Sequence, residues 1–119
     1  MKLSNLTVLL LMILLFGCSD DNNEPEPSNS EYVLANFNAD ETLIQTREVV
    51  HFADISYGEP NDWNWTFEGG SPSTSNTKNP AVTYADGGSY QVTLKVSNGN
   101  SEDTKTVTNF ITVIKVNDL

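Results

Sequence analysis

The feature that most constrains the fold is an unbroken alternation of apolar and polar residues over positions 90–97. Apolar side chains occupy positions 90, 92, 94 and 96, and polar side chains occupy the positions between them. Successive side chains of a β-strand point to opposite faces, so this pattern predicts a strand with one buried and one solvated face. Similar short runs recur between turn residues, and no apolar repeat of helical period is found. The sequence therefore predicts an all-β fold.

The same alternation places the other strands. One run would put Trp63, Trp65 and Phe67 on a common face, and another would point Val50 and Phe52 inward. In the last run Ile111 and Val113 are the inward residues, and Asn98-Gly99-Asn100 before it is typical of a hairpin turn. These patterns predict an immunoglobulin-like β-sandwich of about seven strands. The runs identified are 32–37, 49–55, 62–68, 81–84, 90–97 and 104–114.

Tyr90 stands where such sandwiches place a tyrosine corner, near the start of the penultimate strand. In antibody domains a cysteine follows two residues later, and Val92 fills that position here. Trp65 is the candidate for the tryptophan at the centre of the sandwich. The sequence contains a single cysteine, Cys18, so no internal disulfide can form. Packing alone must hold the predicted domain, residues 32–119, together.

The front of the chain carries targeting signals. In residues 1–17, Lys2 precedes an apolar run that is shorter than the about 20 residues of a membrane span, which predicts a cleaved signal peptide. Leu15-Phe16-Gly17-Cys18 resembles the lipobox of bacterial lipoproteins, although Phe16 is larger than the residue usual at its position. That resemblance implies lipidation of Cys18 and anchoring to a membrane. The alternative is an ordinary secretory signal with an incidental cysteine.

Residues 18–31 are predicted to be a lipidated cysteine followed by a flexible acidic tether. Positions 19–31 hold five acids, two prolines and no hydrophobic residue, which favours an extended chain without a core. The acids after Cys18 resemble the export signal of Bacteroidetes lipoproteins, which implies the outer face of the outer membrane. The net charge of −10 argues against nucleic acid as a partner, because phosphate binding needs clustered cations.

Several runs between about residues 35 and 113 share an order and spacing: Val50-His51-Phe52, Ser56, Trp65-Thr66-Phe67-Glu68-Gly69-Gly70, Asn79-Pro80-Ala81-Val82-Thr83-Tyr84, 88–98 and Ile111-Thr112-Val113. With these runs the chain resembles the PKD domain, a module common in exported bacterial proteins. Where that family usually has Trp-Asp-Phe-Gly-Asp-Gly, this chain has Trp-Thr-Phe-Glu-Gly-Gly, which removes two acids from a turn and weakens any cation site there. The resemblance implies an immunoglobulin-type sandwich that contacts proteins or glycans and often serves beside catalytic domains.

The sequence offers little for catalysis. His51 is the only histidine, which excludes a histidine pair, and its neighbours place it on the outward face of a strand. The acidic pairs Glu59 with Asp62 and Glu102 with Asp103 are best interpreted as solvated loop charges. We therefore predict no catalytic residue, no enzymatic activity and no cofactor. A hydrolase would require a deep cleft with convergent carboxylates.

Two aromatic residues are candidates for ligand binding. Tyr57 follows the second predicted strand and is expected to be exposed, whereas Trp63 either stacks on a sugar ring or caps the core beside Trp65. The loop holding Glu59, Asn61 and Asp62 is the least implausible place for calcium, but it lacks the dense aspartate pattern of a dedicated site, so no metal ligand is assigned.

These observations predict a non-catalytic, surface-anchored lipoprotein whose sandwich is a protein or glycan interaction module or a spacer. One alternative is a glycan-binding subunit of a polysaccharide uptake system, which Tyr57 and Trp63 would serve if both were exposed and coplanar. The other is a truncated remnant of a larger exported enzyme.

Overall fold

A computed structural model describes residues 31–118, with side chains to residue 117. The predicted signal peptide, Cys18 and almost all of the acidic tether lie outside the described residues. Within this range no helix is long and apolar enough to cross a membrane. The elements are β1 (Phe37–Ala39), β2 (Leu43–Gln45), β3 (Val49–Asp54), β4 (Asp62–Phe67), β5 (Gly70–Ser71), β6 (Thr74–Ser75), β7 (Ala81–Tyr84), β8 (Gly88–Ser97), β9 (Glu102–Ile114) and a 3-10 helix (Val116–Asp118).

The strands form two sheets, with orders β1-β3-β7-β5 and β2-β9-β8-β4-β6. β2 runs parallel to β9, and the other strand pairs of the described chain are antiparallel. The chain enters beside the turn between β3 and β4, and β9 finishes at the opposite end. We call these the N-terminal end and the C-terminal end of the sandwich. The predicted all-β immunoglobulin-like sandwich is confirmed.

The core lies between the sheets and consists mainly of aromatic side chains. Trp65 is fully buried, and its indole Nε1 donates a hydrogen bond to the Thr77 carbonyl oxygen at 2.9 Å. Its ring stacks on Phe67 with centroids 5.4 Å apart, and Phe52 packs against Phe67 at 4.7 Å. Each such side chain stabilises the fold by about 1.5–3 kcal/mol through burial, so aromatic packing takes the place of a disulfide.

The tyrosine corner is present as predicted. The Tyr90 hydroxyl donates to the Asp86 carbonyl oxygen at 2.8 Å, with the Gly87 carbonyl oxygen at 3.2 Å, and Val92 is fully buried two residues later. Gly69 lies against this corner with φ of 75°, and a Cβ atom there would overlap the Tyr90 ring. The contact explains a glycine in the turn that follows β4.

The first predicted strand, residues 32–37, was wrong in its bounds, because ladder pairing begins only at β1. Before β1 the backbone makes an isolated bridge at Leu34 and otherwise bonds partly to side chains: Val33 N–H donates to Ser101 Oγ at 2.9 Å, and Ala35 N–H donates to Asp103 Oδ2 at 2.8 Å. The strands β2, β5 and β6 were not predicted, since two or three residues are too few to show a period.

Candidate functional site

Large apolar side chains are exposed together at the N-terminal end: Tyr32 (55%), Leu34 (54%), Ile55 (48%) and Tyr57 (61%). Leu34 and Tyr57 form an antiparallel bridge in which each N–H donates to the other carbonyl oxygen at 2.9 Å. Bridge partners point to the same side, and so do residues two apart in extended chain. The intervening Val33 is buried, as this alternation requires. We call these four residues the tyrosine patch.

The backbone under the tyrosine patch is fixed by several contacts. Gly58 has φ of 97°, and a Cβ atom there would overlap the Tyr32 carbonyl oxygen, so the two segments cross at close range. The Gly58 carbonyl oxygen accepts a hydrogen bond from Asn98 Nδ2 at 3.2 Å. The rings of Tyr32 and Tyr57 lie 6.1 Å apart between centroids, with an interplanar angle of 39°. The patch therefore presents two adjacent phenol rings on a constrained backbone.

Trp63 does not join this patch. It is half-buried and packs against the core beside Trp65, as the alternation in β4 allowed. Its Nε1 atom is buried without a hydrogen-bond partner among residues 31–118. The aromatic neighbour of Tyr57 is Tyr32. Tyr57 and Trp63 therefore do not form the exposed, coplanar pair that the glycan-binding alternative requires. A ligand-binding role for either residue stays a prediction.

The loop proposed for calcium is open to solvent. Glu59, Asn61 and Asp62 are exposed, and the N–H of Asn61 donates to the Ser97 carbonyl oxygen at 2.9 Å. In the described part of the chain, no three Asp, Glu, His or Cys side chains gather where they could hold a metal ion. No metal ligand is assigned to this loop.

His51 lies on the outer face of β3, as predicted, and is paired with a surface carboxylate. Its N–H donates to Asp40 Oδ1 at 2.9 Å, and its ring Nδ1 lies 3.0 Å from Asp40 Oδ2. The backbone hydrogen bond, followed by the ring contact, lowers the pKa of Asp40. Both side chains are largely exposed, so this pair is a surface contact and does not form a water-excluding site.

The other acids considered have structural partners. Glu102 forms an ion pair with Lys95 at 3.4 Å, and Asp103 accepts the N–H of Ala35. Glu102 and Asp62 line a small cleft of ≈ 130 Å³, and Lys95, the ion-pair partner of Glu102, lies in the same cleft. The arrangement suits stabilisation of strand ends, and it does not resemble the paired carboxylates of a hydrolase.

Sequence reasoning identified Tyr57 but missed its companions in the patch. Tyr32, Leu34 and Ile55 come together because the segment before β1 lies beside the segment after β3, and local sequence does not show that pairing. One signal was available: the alternation in residues 32–37, with Val33 inward, places Tyr32 and Leu34 outward.

Comparisons with known proteins agree with this geometry. The family profile of the PKD domain matches residues 34–113. The PKD1 domain of Vibrio anguillarum Epp superposes with a TM-score of 0.57 at 22% identity, covering 71% of this chain and 99% of that one. The PKD1 domain of the Vibrio cholerae metalloprotease PrtV gives 0.56 at 28% identity, covering 70% and 98%. A Methanosarcina mazei protein solved by NMR gives 0.51 at 28% identity, covering 81% and 62%, and no curated protein matched.

Proposed function

Because this chain belongs to the PKD domain family, we propose that its sandwich is a non-catalytic recognition module that binds an extracellular protein or glycan through the tyrosine patch. The observation that carries the proposal is the grouping of Tyr32, Leu34, Ile55 and Tyr57 on one face, each about half exposed or more. Contiguous exposed apolar surface is costly in water and commonly marks an interaction site. Tyrosine suits such a site because its ring packs while its hydroxyl stays hydrogen-bonded.

The family supports a binding role over a catalytic one. PKD domains are generally non-catalytic modules, and one similar domain is part of a metalloprotease. In the present chain His51 is held by Asp40 at the surface, and the loop acids near β4 are solvated. The described residues therefore supply contact surface, and we assign them no chemical step.

Anchoring would limit how far this module moves from the membrane. Lipid on Cys18 and the acidic tether over 19–31 would hold the sandwich from its N-terminal end, where the tyrosine patch lies. Thirteen linking residues span at most about 45 Å when fully extended. The tyrosine patch would then act within about that distance of the cell surface.

The test is an array of host proteins and glycans probed with residues 19–119. Tyr57→Ala and Leu34→Ala remove patch side chains, while Leu43→Ala removes a leucine that is 60% exposed outside the patch. Binding that falls with the first two variants and persists in the third supports the proposal. Binding that survives both patch variants, or none to any arrayed molecule, contradicts it and favours a spacer role.

The class of ligand that binds in the array shows whether the patch recognises a glycan or a protein. Glycan binding lost with Tyr57→Ala would assign the module to polysaccharide capture, because a phenol ring stacks on a sugar face. Protein binding lost with Leu34→Ala would assign it to a protein partner. Trp63→Ala is expected to lower the melting temperature, since Trp63 packs against the core.

A further inference from the structure

A cleft at the C-terminal end of the sandwich is separate from the tyrosine patch. It has a volume of ≈ 340 Å³ and lies between the β2–β3 turn, the loop before β8 and the segment after β9. Its charged lining residues are Arg47, Asp86 and Lys115. Clefts of ≈ 390 and ≈ 370 Å³ adjoin it, the first sharing Asp86 and Lys115 and the second sharing Arg47. Together the three clefts form a groove across the C-terminal end. Lys115 lines both the ≈ 340 Å³ and the ≈ 390 Å³ cleft, and Arg47 lines both the ≈ 340 Å³ and the ≈ 370 Å³ cleft.

Among the described residues, Arg47 and Lys115 in this groove and Lys78 outside it are the cations without a hydrogen-bond or ion-pair partner. Lys95 and Lys105 each have an acceptor, at 3.4 and 2.7 Å, respectively. The side chains of Arg47 and Lys115 have no hydrogen-bond or ion-pair partner within residues 31–118. With two cations and the one carboxylate of Asp86, the charged lining of the cleft sums to 2 − 1 = +1 in a chain of net charge −10, which favours an anionic ligand.

The turn that presents Arg47 is held firmly to both sheets. Arg47 N–H donates to the Tyr84 carbonyl oxygen of β7 at 2.8 Å, and Thr46 N–H donates to the Ile114 carbonyl oxygen of β9 at 3.0 Å. Arg47 has φ of 76°, a left-handed conformation that costs a side-chain-bearing residue about 1–2 kcal/mol and that glycine adopts freely. Local backbone geometry thus favours glycine or asparagine at position 47.

We infer that Arg47 and Lys115 bind the carboxylates of an acidic polysaccharide. The planar guanidinium matches a carboxylate with two parallel hydrogen bonds. Asp86, exposed in the same cleft, repels any carboxylate close to it but accepts hydrogen bonds from sugar hydroxyls, so it favours an anion whose charges are separated by hydroxyl groups. Asn117 and Thr83 add amide and hydroxyl groups along the groove. A uronic acid polymer carries spaced carboxylates with hydroxyl groups between them, which fits this lining.

Titration of residues 19–119 with a galacturonic acid hexamer tests the inference. This piece contains the whole core, and similar PKD1 domains have been solved as isolated domains. Arg47→Asn removes the cation and keeps a residue that tolerates the left-handed turn. The dissociation constant is expected to rise about tenfold or more in Arg47→Asn and Lys115→Gln, as for loss of a charge-assisted hydrogen bond. Lys78→Gln, an exposed lysine outside the groove, is the control and should leave it unchanged.

Ligand controls decide the chemistry. A neutral galactose hexamer should bind at least about tenfold more weakly than the uronate, and rising salt should weaken uronate binding. Asp86→Asn should improve binding of a polyglutamate peptide relative to the uronate. Equal binding of the neutral hexamer, tighter binding of polyglutamate to the parent protein, an unchanged Arg47→Asn variant, or no uronate binding would each overturn the inference.

The two sites can be tested independently. Tyr57→Ala lies at the opposite end of the sandwich and should leave uronate affinity intact, while Arg47→Asn should leave binding at the tyrosine patch intact. Melting curves that overlap with the parent protein establish that each variant is folded. Loss of uronate affinity in Tyr57→Ala, with Arg47→Asn unaffected, would move the uronate site to the patch.

Discussion

Replacing Tyr84 with phenylalanine should stabilise the protein, because the hydroxyl of Tyr84 is buried without a hydrogen-bond partner among residues 31–118. The residue is 0% exposed, its ring stacks on Tyr90 with centroids 5.1 Å apart, and its oxygen has no hydrogen-bond partner in the described chain. A buried unpaired polar group costs about 1–3 kcal/mol. Tyr84→Phe keeps the ring and removes that group, so we expect the free energy of unfolding at pH 7 to rise by about 1 kcal/mol.

Alkaline pH should widen this difference. Burial, and secondarily the nearby Tyr90, raises the pKa of Tyr84 to about 12 in the folded protein, whereas an unfolded tyrosine ionises near pH 10. The stability associated with protonated Tyr84 is complete below about pH 10 and falls by about 1.4 kcal/mol per pH unit above it, until the folded pKa is reached. The variant lacks this ionisation, so its advantage should grow by about 1 kcal/mol between pH 10 and 11.

Urea unfolding of both proteins at pH 7, 9, 10 and 11 measures these differences. Tyr90→Phe is a matched control of opposite sign, because it removes the hydroxyl that donates to Asp86 and should destabilise by about 1 kcal/mol at pH 7. Two observations would refute the reasoning. A Tyr84→Phe protein less stable than the parent at pH 7 would mean that the hydroxyl has a partner. Parallel stability curves above pH 10 would mean that burial does not raise the pKa.

Three further changes test other contacts. Asp40→Asn removes the carboxylate that binds His51. Because those bonds lower the Asp40 pKa, urea unfolding should show that the parent is more stable than the variant above about pH 4. This difference in the free energy of unfolding should vanish as the pH falls through the folded pKa of Asp40. Gly69→Ala should lower the melting temperature more than Gly99→Ala, since both glycines have positive φ but only at Gly69 would a Cβ overlap another group; equal losses would contradict this. Cys18→Ala should abolish incorporation of labelled fatty acid in cells, and retained labelling would contradict lipidation at Cys18.

The alternation of apolar and polar residues predicted those strands that are long enough to show the pattern. In β8 and β4 the apolar positions 92, 94, 96, 65 and 67 are all buried, because each strand covers one face of the core. β2, β5 and β6 were not predictable in this way, since each has two or three residues and is defined by its pairing with a distant strand. Their register depends on the assembled sheets, and no local period encodes it.

Features of the candidate sites were likewise predictable where local sequence determines them, and not where distant segments come together. Exposure of Tyr57 followed from its loop position, and packing of Trp63 against the core followed from its place two residues before Trp65. The grouping of Tyr57 with Tyr32 depends on the bridge to Leu34, which joins segments far apart in the sequence. The groove that carries Arg47 and Lys115 likewise needs the assembled C-terminal end, where three separate segments meet.

The parallel pairing of β2 with β9 determines how the domain responds to tension. A pull between residue 31 and the end of β9 acts on the sandwich from opposite ends and tends to slide these parallel strands past each other. The hydrogen bonds from Thr112 N–H to the Thr42 carbonyl oxygen at 2.7 Å and from Thr46 N–H to the Ile114 carbonyl oxygen at 3.0 Å then bear the load together, in shear. A domain that is tethered at one end and binds a partner at the other would resist extension through this short strand pair. The three residues of β2 would then contribute more to mechanical resistance than their small number suggests.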